Sequence, residues 1–395
     1  MITRVHLSDY TGGTTVYAHD LNRFLHKLGH NITHLCFSSR ESGEFFYDGI
    51  KVIKYQSDIN NKLLNFIKRF FKFRKILNNF YIQNTPDLIV THDVITSQFL
   101  ILNGIPPKKR VFFIHAVHSH ELTFEMFKRI KQDSILDKVK TSFSYLIKYF
   151  LYYCLERITL KTAAKIITDS EYDNKEILKY HGNKWQSKIS IIPIGVDLHK
   201  FFVTKSKEDI RSKYNLHKNN IVFLVIRRLE HRMGLLNLID AFSTINAKDA
   251  SLLIVGKGTL RGYLEARIDE LGVQDKVKML GFISEKEKIE VIQASDYMII
   301  PSEELEGFGI VTLEAWACNV PVIGTPVGAI PDNLKKLDSS FITADITPYA
   351  LQDKIQWAIE NKKTLTNSNK YRQHVENNYD WNIIADRVVK VFNSI

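Results

Sequence analysis

Short apolar runs of the kind that form buried strands alternate with segments of helical periodicity along almost the whole chain. In the first half the runs lie at residues 5–7, 32–37, 87–90, 110–114, 165–168 and 189–192. The pattern pauses at residues 194–197, and residues 205–220 are polar and charged. A second series follows at residues 221–226, 251–255, 277–280, 297–300 and 321–323. Because alternating strands and helices are typical of parallel sheets, we predict two doubly wound α/β domains with a linker near residue 200.

A last helix is predicted at residues 381–392, where apolar side chains recur at helical spacing. We expect an N-terminal domain at residues 1–200, a C-terminal domain at residues 201–375, and a segment at residues 376–395 whose helix packs back on the N-terminal domain. Two doubly wound sheets place two sets of strand carboxyl ends opposite each other, so a ligand is expected in a cleft between the domains.

The net charge of the chain comes entirely from its first half. The 395 residues contain 54 lysines and arginines and 43 acidic residues, a net charge of +11. Residues 1–200 hold 29 of the basic and 18 of the acidic residues, which leaves 25 of each for residues 201–395. This asymmetry predicts that the first half contacts an anionic surface or an anionic substrate.

Two segments of the first half combine basic and aromatic residues. Residues 61–80 carry apolar side chains at helical spacing, basic side chains on much of the opposite face, and no acid. Residues 127–153 mix lysines with phenylalanines and tyrosines. Such helices bind anionic membrane surfaces, although both could equally pack against the domain's own sheet. No nucleic-acid-binding module is recognisable, so no nucleic acid is expected as a partner.

The cellular setting is indicated by the cysteines and by the start of the chain. Cys36, Cys154 and Cys318 are widely spaced and form no metal-binding pattern, which indicates reduced thiols. The first seven residues are predicted to form a strand and not a signal segment. We therefore expect a cytoplasmic protein, with peripheral attachment to the inner face of the membrane left open.

Each half carries a glycine-rich turn between a strand and a helix. Gly12-Gly13 follows the first strand, and Gly256-Lys257-Gly258 follows the strand at residues 251–255. Glycines at such turns let backbone amides approach an anion closely, although a plain tight turn has the same sequence.

Basic side chains follow the first strand of the second half, in the run Arg227-Arg228-Leu229-Glu230-His231-Arg232. Guanidinium groups at a strand's carboxyl end suit a diphosphate, because their planar fork matches phosphate oxygens. The alternative is a solvated basic loop.

Three histidines, His115, His118 and His120, follow the strand at residues 110–114. Histidines at this spacing could together ligate a metal ion. Without a pattern of acidic or cysteine partners around them, a hydrogen-bonding histidine at the cleft is favoured over a metal site.

Glu306 and Glu314 lie around a short helix entered through Gly307-Phe308-Gly309. Apolar runs at residues 297–300 and 321–323 predict a buried strand on each side of it. The helix start presents free backbone amides at a strand's carboxyl end. Glu314 lies on a helix that is otherwise apolar nearly all round, and an acid there requires hydrogen-bond donors such as sugar hydroxyls.

Together these residues resemble the retaining glycosyltransferases of family 4, which have the GT-B fold of two facing Rossmann-like domains. The resemblance covers nearly the whole chain. Its most specific motifs are Glu306-Gly-Phe-Gly-Ile-Val-Thr-Leu-Glu314, with seven residues between the acids, Ile191-Ile-Pro-Ile-Gly-Val-Asp197 with Phe201, and Leu253-Ile-Val-Gly256-Lys-Gly258. It implies a hexosyltransferase-type enzyme that moves a sugar from a nucleotide diphosphate sugar to an acceptor hydroxyl, with retention of anomeric configuration.

Carried over by position, the resemblance assigns Glu314 to the ribose hydroxyls of the donor and Glu306 to the donor sugar. The amides of Phe308 and Gly309 would contact that sugar or the diphosphate, and Arg228 would bind the diphosphate.

Further donor contacts are implied from both halves. The loop at Gly12-Gly13 would close over the phosphates, and His115 matches the family's donor-facing histidine better than His118 does. The backbone around Phe282 and Ile283 would meet the nucleotide base.

The chain also departs from the family pattern. The family's lysine five positions after the arginine is Met233 here, and we expect Arg232 to supply the second cation. No Asp-x-Asp motif is present, so no metal cofactor is expected. The acceptor is expected to be a lipid-linked or surface-polysaccharide glycan. Two alternatives stay open: a phosphorylase- or epimerase-type enzyme on the same fold, and a non-catalytic basic protein that binds membranes or nucleic acid.

Overall fold

The computed structural model describes residues 2–5, 13–38, 42–56, 62–122, 135–202, 206–247, 249–366 and 369–395. The chain divides into two compact units, called the first and the second domain below. The first domain comprises Met1–Ile194 and Trp381–Ile395, and the second comprises Gly195–Asp380. The chain therefore passes from the first domain to the second and back again.

The described part of the first domain contains an eight-stranded sheet. Its strands are β1 (Ile2–Val5), β2 (Thr33–Ser38), β3 (Gly43–Tyr47), β4 (Ile50–Gln56), β5 (Ile89–Thr91), β6 (Arg110–Ile114), β7 (Lys165–Thr168) and β8 (Ile189–Ile191). They lie in the order β3-β4-β2-β1-β5-β6-β7-β8. Every neighbouring pair is parallel except β3 and β4.

The antiparallel pair β3–β4 was not predicted from the sequence. Strand β3 lies at the sheet edge and most of its residues are exposed, so it contains no buried apolar run that would predict a strand. The first strand also ends at Val5, and residues 6 and 7 of the predicted run lie outside the described residues.

The first domain's helices cover the sheet. They span Gly13–Lys27, Lys62–Asn84, Val94–Leu102, residues 118–122, Ile135–Thr162, Glu171–His181 and Trp381–Phe392, with 3-10 turns at Pro107–Lys109 and Asn183–Lys188. The last helix packs on the first: the Trp381 ring lies 5.3 Å from the Tyr17 ring and 6.2 Å from the Phe24 ring. Among the described residues, no helix is both long and apolar enough to cross a membrane.

The second domain contains a five-stranded parallel sheet in its described part. Its strands are β9 (Ile221–Ile226), β10 (Ala250–Val255), β11 (Val277–Gly281), β12 (Tyr297–Ile300) and β13 (Val322–Gly324), in the order β11-β10-β9-β12-β13. Its helices span Lys207–Lys213, Leu235–Ser243, Arg261–Glu270, Glu285–Ala294, Ile310–Ala317, Ile330–Leu334, Pro348–Glu360, Lys362–Thr366 and Lys370–Asn378. All residues of β10 and β12 are buried, as parallel strands covered by helices on both faces require.

Asp296 is a buried acid that links β9 to basic side chains from two helices. Asp296, one residue before β12, accepts a hydrogen bond from the Val222 amide at 2.9 Å. It also pairs with Arg211 at 2.7 Å, Lys207 at 2.8 Å and Lys362 at 3.3 Å. Burial raises the pKa of Asp296, but Lys207 and Arg211 lower it more, so the net shift is downward. The cluster keeps a buried carboxylate charged and satisfied.

Replacing Arg211 by methionine is expected to lower the free energy of unfolding of the second domain by about 3–5 kcal/mol, because Asp296 loses its most buried partner. Urea denaturation would measure the loss. The matched control is Arg267→Met, since Arg267 pairs with Asp240 at the surface and such a pair contributes about 1 kcal/mol or less. Equal effects of the two variants would contradict this prediction.

Candidate functional site

The strand order of the second domain reverses between β9 and β12. From β9 the sheet grows through β10 to β11, and from β12 it grows the other way to β13. Open α/β sheets bind ligands outside the carboxyl ends of strands at such a reversal. Arg227 directly follows β9, and residues 301–309 follow β12. The arginine run and the two-glutamate segment therefore meet at one edge of the sheet.

The helix Ile310–Ala317 begins at this edge. Gly309 precedes it in the left-handed conformation, with φ 78°, and no described side chain caps its first amides. A Cβ on Gly309 would lie 3.3 Å from Thr312 Oγ1 and 3.6 Å from Glu306 Oε1, so both the conformation and the space favour glycine. The free amides form the positive end of the helix dipole, which stabilises an anion.

Glu306 is buried beside this helix start and is 8% exposed. Its Oε2 accepts a hydrogen bond from Ser302 Oγ at 2.9 Å and forms an ion pair with Arg227 Nη2. The Glu306 carbonyl accepts a hydrogen bond from the Ala329 amide at 2.8 Å. A Cβ on Gly328 would lie 2.1 Å from the same carbonyl oxygen. Both the backbone and the carboxylate of Glu306 are thus fixed.

Glu314 lies within the helix Ile310–Ala317 and is 5% exposed. Its Oε1 accepts a hydrogen bond from Lys288 Nζ at 2.7 Å, whereas its Oε2 is buried and has no hydrogen-bond partner. Lys288 also pairs with Glu285 at 3.0 Å. Burial lowers the pKa of Lys288, but the two carboxylates raise it more, so the net shift is upward. One oxygen of Glu314 is therefore neutralised by a lysine, and the other is left for a donor from a ligand.

The arginines after β9 have three different environments. Arg227 is buried against Glu306, Arg228 is exposed, and Arg232 Nη1 donates a hydrogen bond to the Leu305 carbonyl at 2.7 Å. All three lie close together, since Arg232 and Arg228 both lower the pKa of Arg227. Met233 is buried. Among the contacts of the described residues, the cation that pairs with the Glu306 carboxylate is Arg227.

The second glycine-rich turn packs against the arginine run. A Cβ on Gly256 would lie 1.8 Å from the Arg227 carbonyl oxygen, and a Cβ on Gly258 would lie 2.3 Å from the Leu229 carbonyl oxygen. The Gly256 amide donates to the Gly281 carbonyl at 2.8 Å, which places the turn next to Phe282 and Ile283. The Phe282 ring is exposed, and Lys257 Nζ lies 4.7 Å from its centroid.

In the first domain, three neighbouring strands each end in a polar residue. His92 follows β5, His115 follows β6 and Asp169 follows β7, so the carboxyl ends of the strands bring them together. Asp169 Oδ2 lies 2.6 Å from His115 Nδ1, and His92 Nδ1 lies 3.0 Å from His115 Nε2. With His115 neutral, its Nδ1–H donates to Asp169 and its Nε2 accepts from His92. The Tyr17 ring packs edge-on at 4.9 Å.

The other first-domain candidates are placed elsewhere or lie outside the described residues. His118 stacks on Tyr152 with ring centroids 5.9 Å apart, and His120 pairs with Glu176 at 2.6 Å. Gly13 begins the helix Gly13–Lys27, whereas Gly12 is not among the described residues. Within the described ranges, no group of three or more histidines, cysteines or acids could hold a metal ion.

Several residues around the candidate groups were not singled out in the sequence. They are Lys288 and Ser302 in the second domain and His92 and Asp169 in the first, whereas Arg227 was named only as part of the basic run. For Asp169 a signal existed, because it directly follows the predicted run at residues 165–168 just as His115 follows residues 110–114. His92 lies two residues beyond the run at residues 87–90. Lys288 carries no such signal, since it reaches Glu314 from a separate helix, Glu285–Ala294.

Two protein-family models match this chain. The model described as Glycosyltransferase Family 4 matches residues 11–200, and the model described as Glycosyl transferases group 1 matches residues 206–380. Each model falls almost wholly within one of the two domains.

Two curated relatives are each 28% identical to this chain over the aligned residues. An uncharacterized glycosyltransferase of Methanocaldococcus jannaschii is 28% identical over 252 residues, 61% of this chain and 62% of that protein. The GDP-mannose-dependent monoacylated alpha-(1-6)-phosphatidylinositol monomannoside mannosyltransferase of Corynebacterium glutamicum is 28% identical over 213 residues, 51% of this chain and 55% of that protein. The matches thus span less than two thirds of these relatives.

Among solved structures, the sucrose-phosphate synthase of Thermosynechococcus elongatus matches all of this chain and 98% of its own. The TM-score is 0.81 at 18% sequence identity. This similarity confirms the predicted fold class, two Rossmann-like domains of the GT-B type.

Proposed function

The chain belongs to the glycosyltransferases of family 4, and on that basis we propose that it transfers a sugar from a nucleotide diphosphate sugar to an acceptor hydroxyl. The observation that carries this proposal is the unpartnered Oε2 of the buried Glu314. A buried charged acceptor without a donor is costly, by more than the ~1–3 kcal/mol of a neutral group. The ribose hydroxyls of a nucleotide are donors that would satisfy it.

The rest of the donor has matching groups at the same sheet edge. The free amides at the start of the helix Ile310–Ala317 and the exposed guanidinium of Arg228 suit a diphosphate. Glu306 is the carboxylate that we assign to the donor sugar. As charge develops on the departing diphosphate, the amides and Arg228 would stabilise it without reorganising. We propose that this stabilisation replaces a metal ion and that anomeric configuration is retained.

His115 is proposed to face the donor from the first domain. Its Nδ1 is held by Asp169, which fixes the ring, and its Nε2 is occupied by His92. A substrate hydroxyl would therefore reach Nε2 by displacing His92. The role of the histidine depends on this exchange.

Donor binding is testable by thermal shift with UDP, GDP and ADP, because a ligand at about 100 times its Kd adds about 2.7 kcal/mol. For a domain of this size we expect a rise in Tm of about 5–10 °C with one of them. The nucleosides uridine, guanosine and adenosine serve as controls without phosphates. If no nucleotide diphosphate changes the Tm, the proposed donor class is wrong.

Reaction class is tested with the nucleotide sugar that stabilises the protein best. We expect release of nucleoside diphosphate, retained anomeric configuration in the product and no loss of activity in EDTA. Cleavage that requires inorganic phosphate would instead indicate a phosphorylase, and loss in EDTA with recovery in manganese would refute metal independence.

The acceptor is proposed to be a lipid-linked glycan at a membrane surface. The relative from Corynebacterium glutamicum is described as acting on a phosphatidylinositol monomannoside. In this chain, Leu146, Ile147, Phe150 and Leu151 on the helix Ile135–Thr162 are each more than half exposed, and Lys148 beside them is exposed too. Two segments were predicted to contact the membrane, residues 127–153 and residues 61–80. In the first, residues 127–134 lie outside the described residues. In the second, residue 61 and most side chains of residues 62–73 lie outside them.

Membrane attachment predicts a loss of binding when this apolar face is charged. Phe150→Glu with Leu151→Glu is expected to weaken flotation with phosphatidylglycerol vesicles by about tenfold or more, since apolar burial is lost and two acids are added. Phe46→Glu is the matched control, because Phe46 is an equally exposed aromatic residue on β3. Equal flotation of all variants would exclude this face as the attachment site.

A further inference from the structure

Arg227 is a largely buried cation of the basic run after β9, and the family resemblance assigns it no role of its own. It follows β9 directly, and its side chain is 9% exposed. Its Nη2 contacts Ser302 Oγ and the Glu306 carboxylate, and its Nε is buried without a hydrogen-bond partner. The Glu306 side chain is itself 11% exposed, so the two charges form a pair largely shielded from water.

Of the adjacent residues Arg227 and Arg228, it is Arg227 that contacts the Glu306 carboxylate. In an extended segment, successive side chains point to opposite sides. Arg227 points to Ser302 and Glu306, and Arg228 is exposed. The geometry therefore separates a guanidinium that contacts a protein carboxylate from one that is open to a ligand.

A buried guanidinium in this place requires a counter-charge. Burial lowers the pKa of Arg227 to about 9, with Arg232 and Arg228 adding to the shift, so it is a cation at neutral pH. Glu306 is the carboxylate in contact with it, and removing one partner of such a pair is far more disruptive than removing both. The Met233 side chain, six residues after Arg227, is apolar and buried.

We propose that Arg227 is the positioning residue of Glu306, holding the carboxylate in place toward the donor sugar and leaving the diphosphate to Arg228. This inference rests on the proposed function. It predicts that Arg227 and Arg228, although adjacent, affect different steps. Loss of Arg227 changes turnover, because Glu306 is no longer fixed, whereas loss of Arg228 changes donor affinity.

The test compares Arg227→Met with its neighbour variant Arg228→Met. The nucleotide sugar is the one that gives the largest thermal shift among UDP-glucose, GDP-mannose and ADP-glucose. For Arg227→Met we expect kcat for nucleoside diphosphate release to fall by about a hundredfold, with donor KM and nucleoside diphosphate Kd within about threefold of the wild type. For Arg228→Met we expect Kd and KM to rise by about tenfold or more. Arg227→Lys is expected to recover part of kcat.

Two results would overturn the proposal. If Arg227→Met weakens nucleoside diphosphate binding as much as Arg228→Met and leaves kcat intact, Arg227 is a phosphate ligand. If it leaves both quantities unchanged, Arg227 has no role in the site.

A second measurement needs no activity and covers the case in which Arg227→Met folds poorly. In a double-mutant cycle by urea denaturation, Arg227→Met with Glu306→Gln is expected to unfold at a higher midpoint than Arg227→Met alone, because the lone carboxylate is removed. Additive effects would overturn the pairing. Should the wild type bind no nucleotide while the cycle still shows coupling, the proposed function fails and the Arg227–Glu306 pair stands.

Discussion

Glu306→Gln is expected to lower kcat for release of nucleoside diphosphate by about a hundredfold to a thousandfold, the range seen when one preorganised electrostatic contact is removed from a transition state. The carboxylate is placed by Ser302, by Arg227 and by its own fixed backbone. Glutamine keeps the size and an acceptor for Ser302 but lacks the negative charge that would balance positive charge developing on the donor sugar.

The binding of nucleoside diphosphate separates this effect from misfolding. Glu306→Gln leaves Arg227 buried without its counter-charge, so the variant is expected to be less stable, and kcat must be measured on protein that still binds the nucleotide. Glu304→Gln is the matched control, because Glu304 lies in the same loop and is exposed. If kcat of Glu306→Gln stays within about threefold of the wild type, Glu306 has no direct role in the reaction.

Glu314→Gln is expected to weaken binding of the nucleoside diphosphate by about tenfold to a hundredfold, with kcat at saturating donor little changed. A hydrogen bond to a charged group contributes about 1.5–3 kcal/mol, and Oε2 of Glu314 has no other partner. Isothermal titration of the nucleotide and the KM of its sugar would both report the loss.

Lys288 provides the control for this second prediction. Glu314→Gln leaves Lys288 with Glu285 as its remaining carboxylate at 3.0 Å, so some stability is lost together with affinity. Adding Lys288→Met removes the positive charge that Glu314 no longer compensates. The double variant is expected to regain stability to urea but not nucleotide affinity. If the double variant recovers both, the affinity loss came from misfolding and Glu314 does not bind the ribose.

The positions of several central strands are predictable from the sequence, whereas the position of the edge strand β3 is not. The runs at β6, β7, β9 and β12 were predicted with the bounds that the structure has, because strands buried on both faces are continuous apolar segments. The strands β3 and β4 were missed for different reasons. The edge strand β3 is mostly exposed and lacks that pattern, and the buried apolar residues of β4 are interrupted by Lys51 and Lys54.

In the candidate site, the sequence predicts several of the functional residues but not the contacts between their side chains. The spacing of Glu306 and Glu314 places both at one helix, as observed. Which of two adjacent arginines turns inward depends on the backbone direction after β9, and no residue pattern records that direction. For the same reason the partners Lys288 and Asp169, which come from separate elements, became visible only in three dimensions.

The helix Trp381–Phe392 has a consequence for how the protein is made. It belongs to the first domain, where Trp381 packs on Tyr17 and Phe24, yet it is synthesised after the whole second domain. Domains usually fold as units during synthesis, N-terminal first. Here the first domain would keep an apolar surface uncovered on the ribosome until residues 381–392 emerge. Dissecting the protein into separate domains therefore requires fusing this helix to the first one, since cutting at residue 194 alone leaves that surface bare.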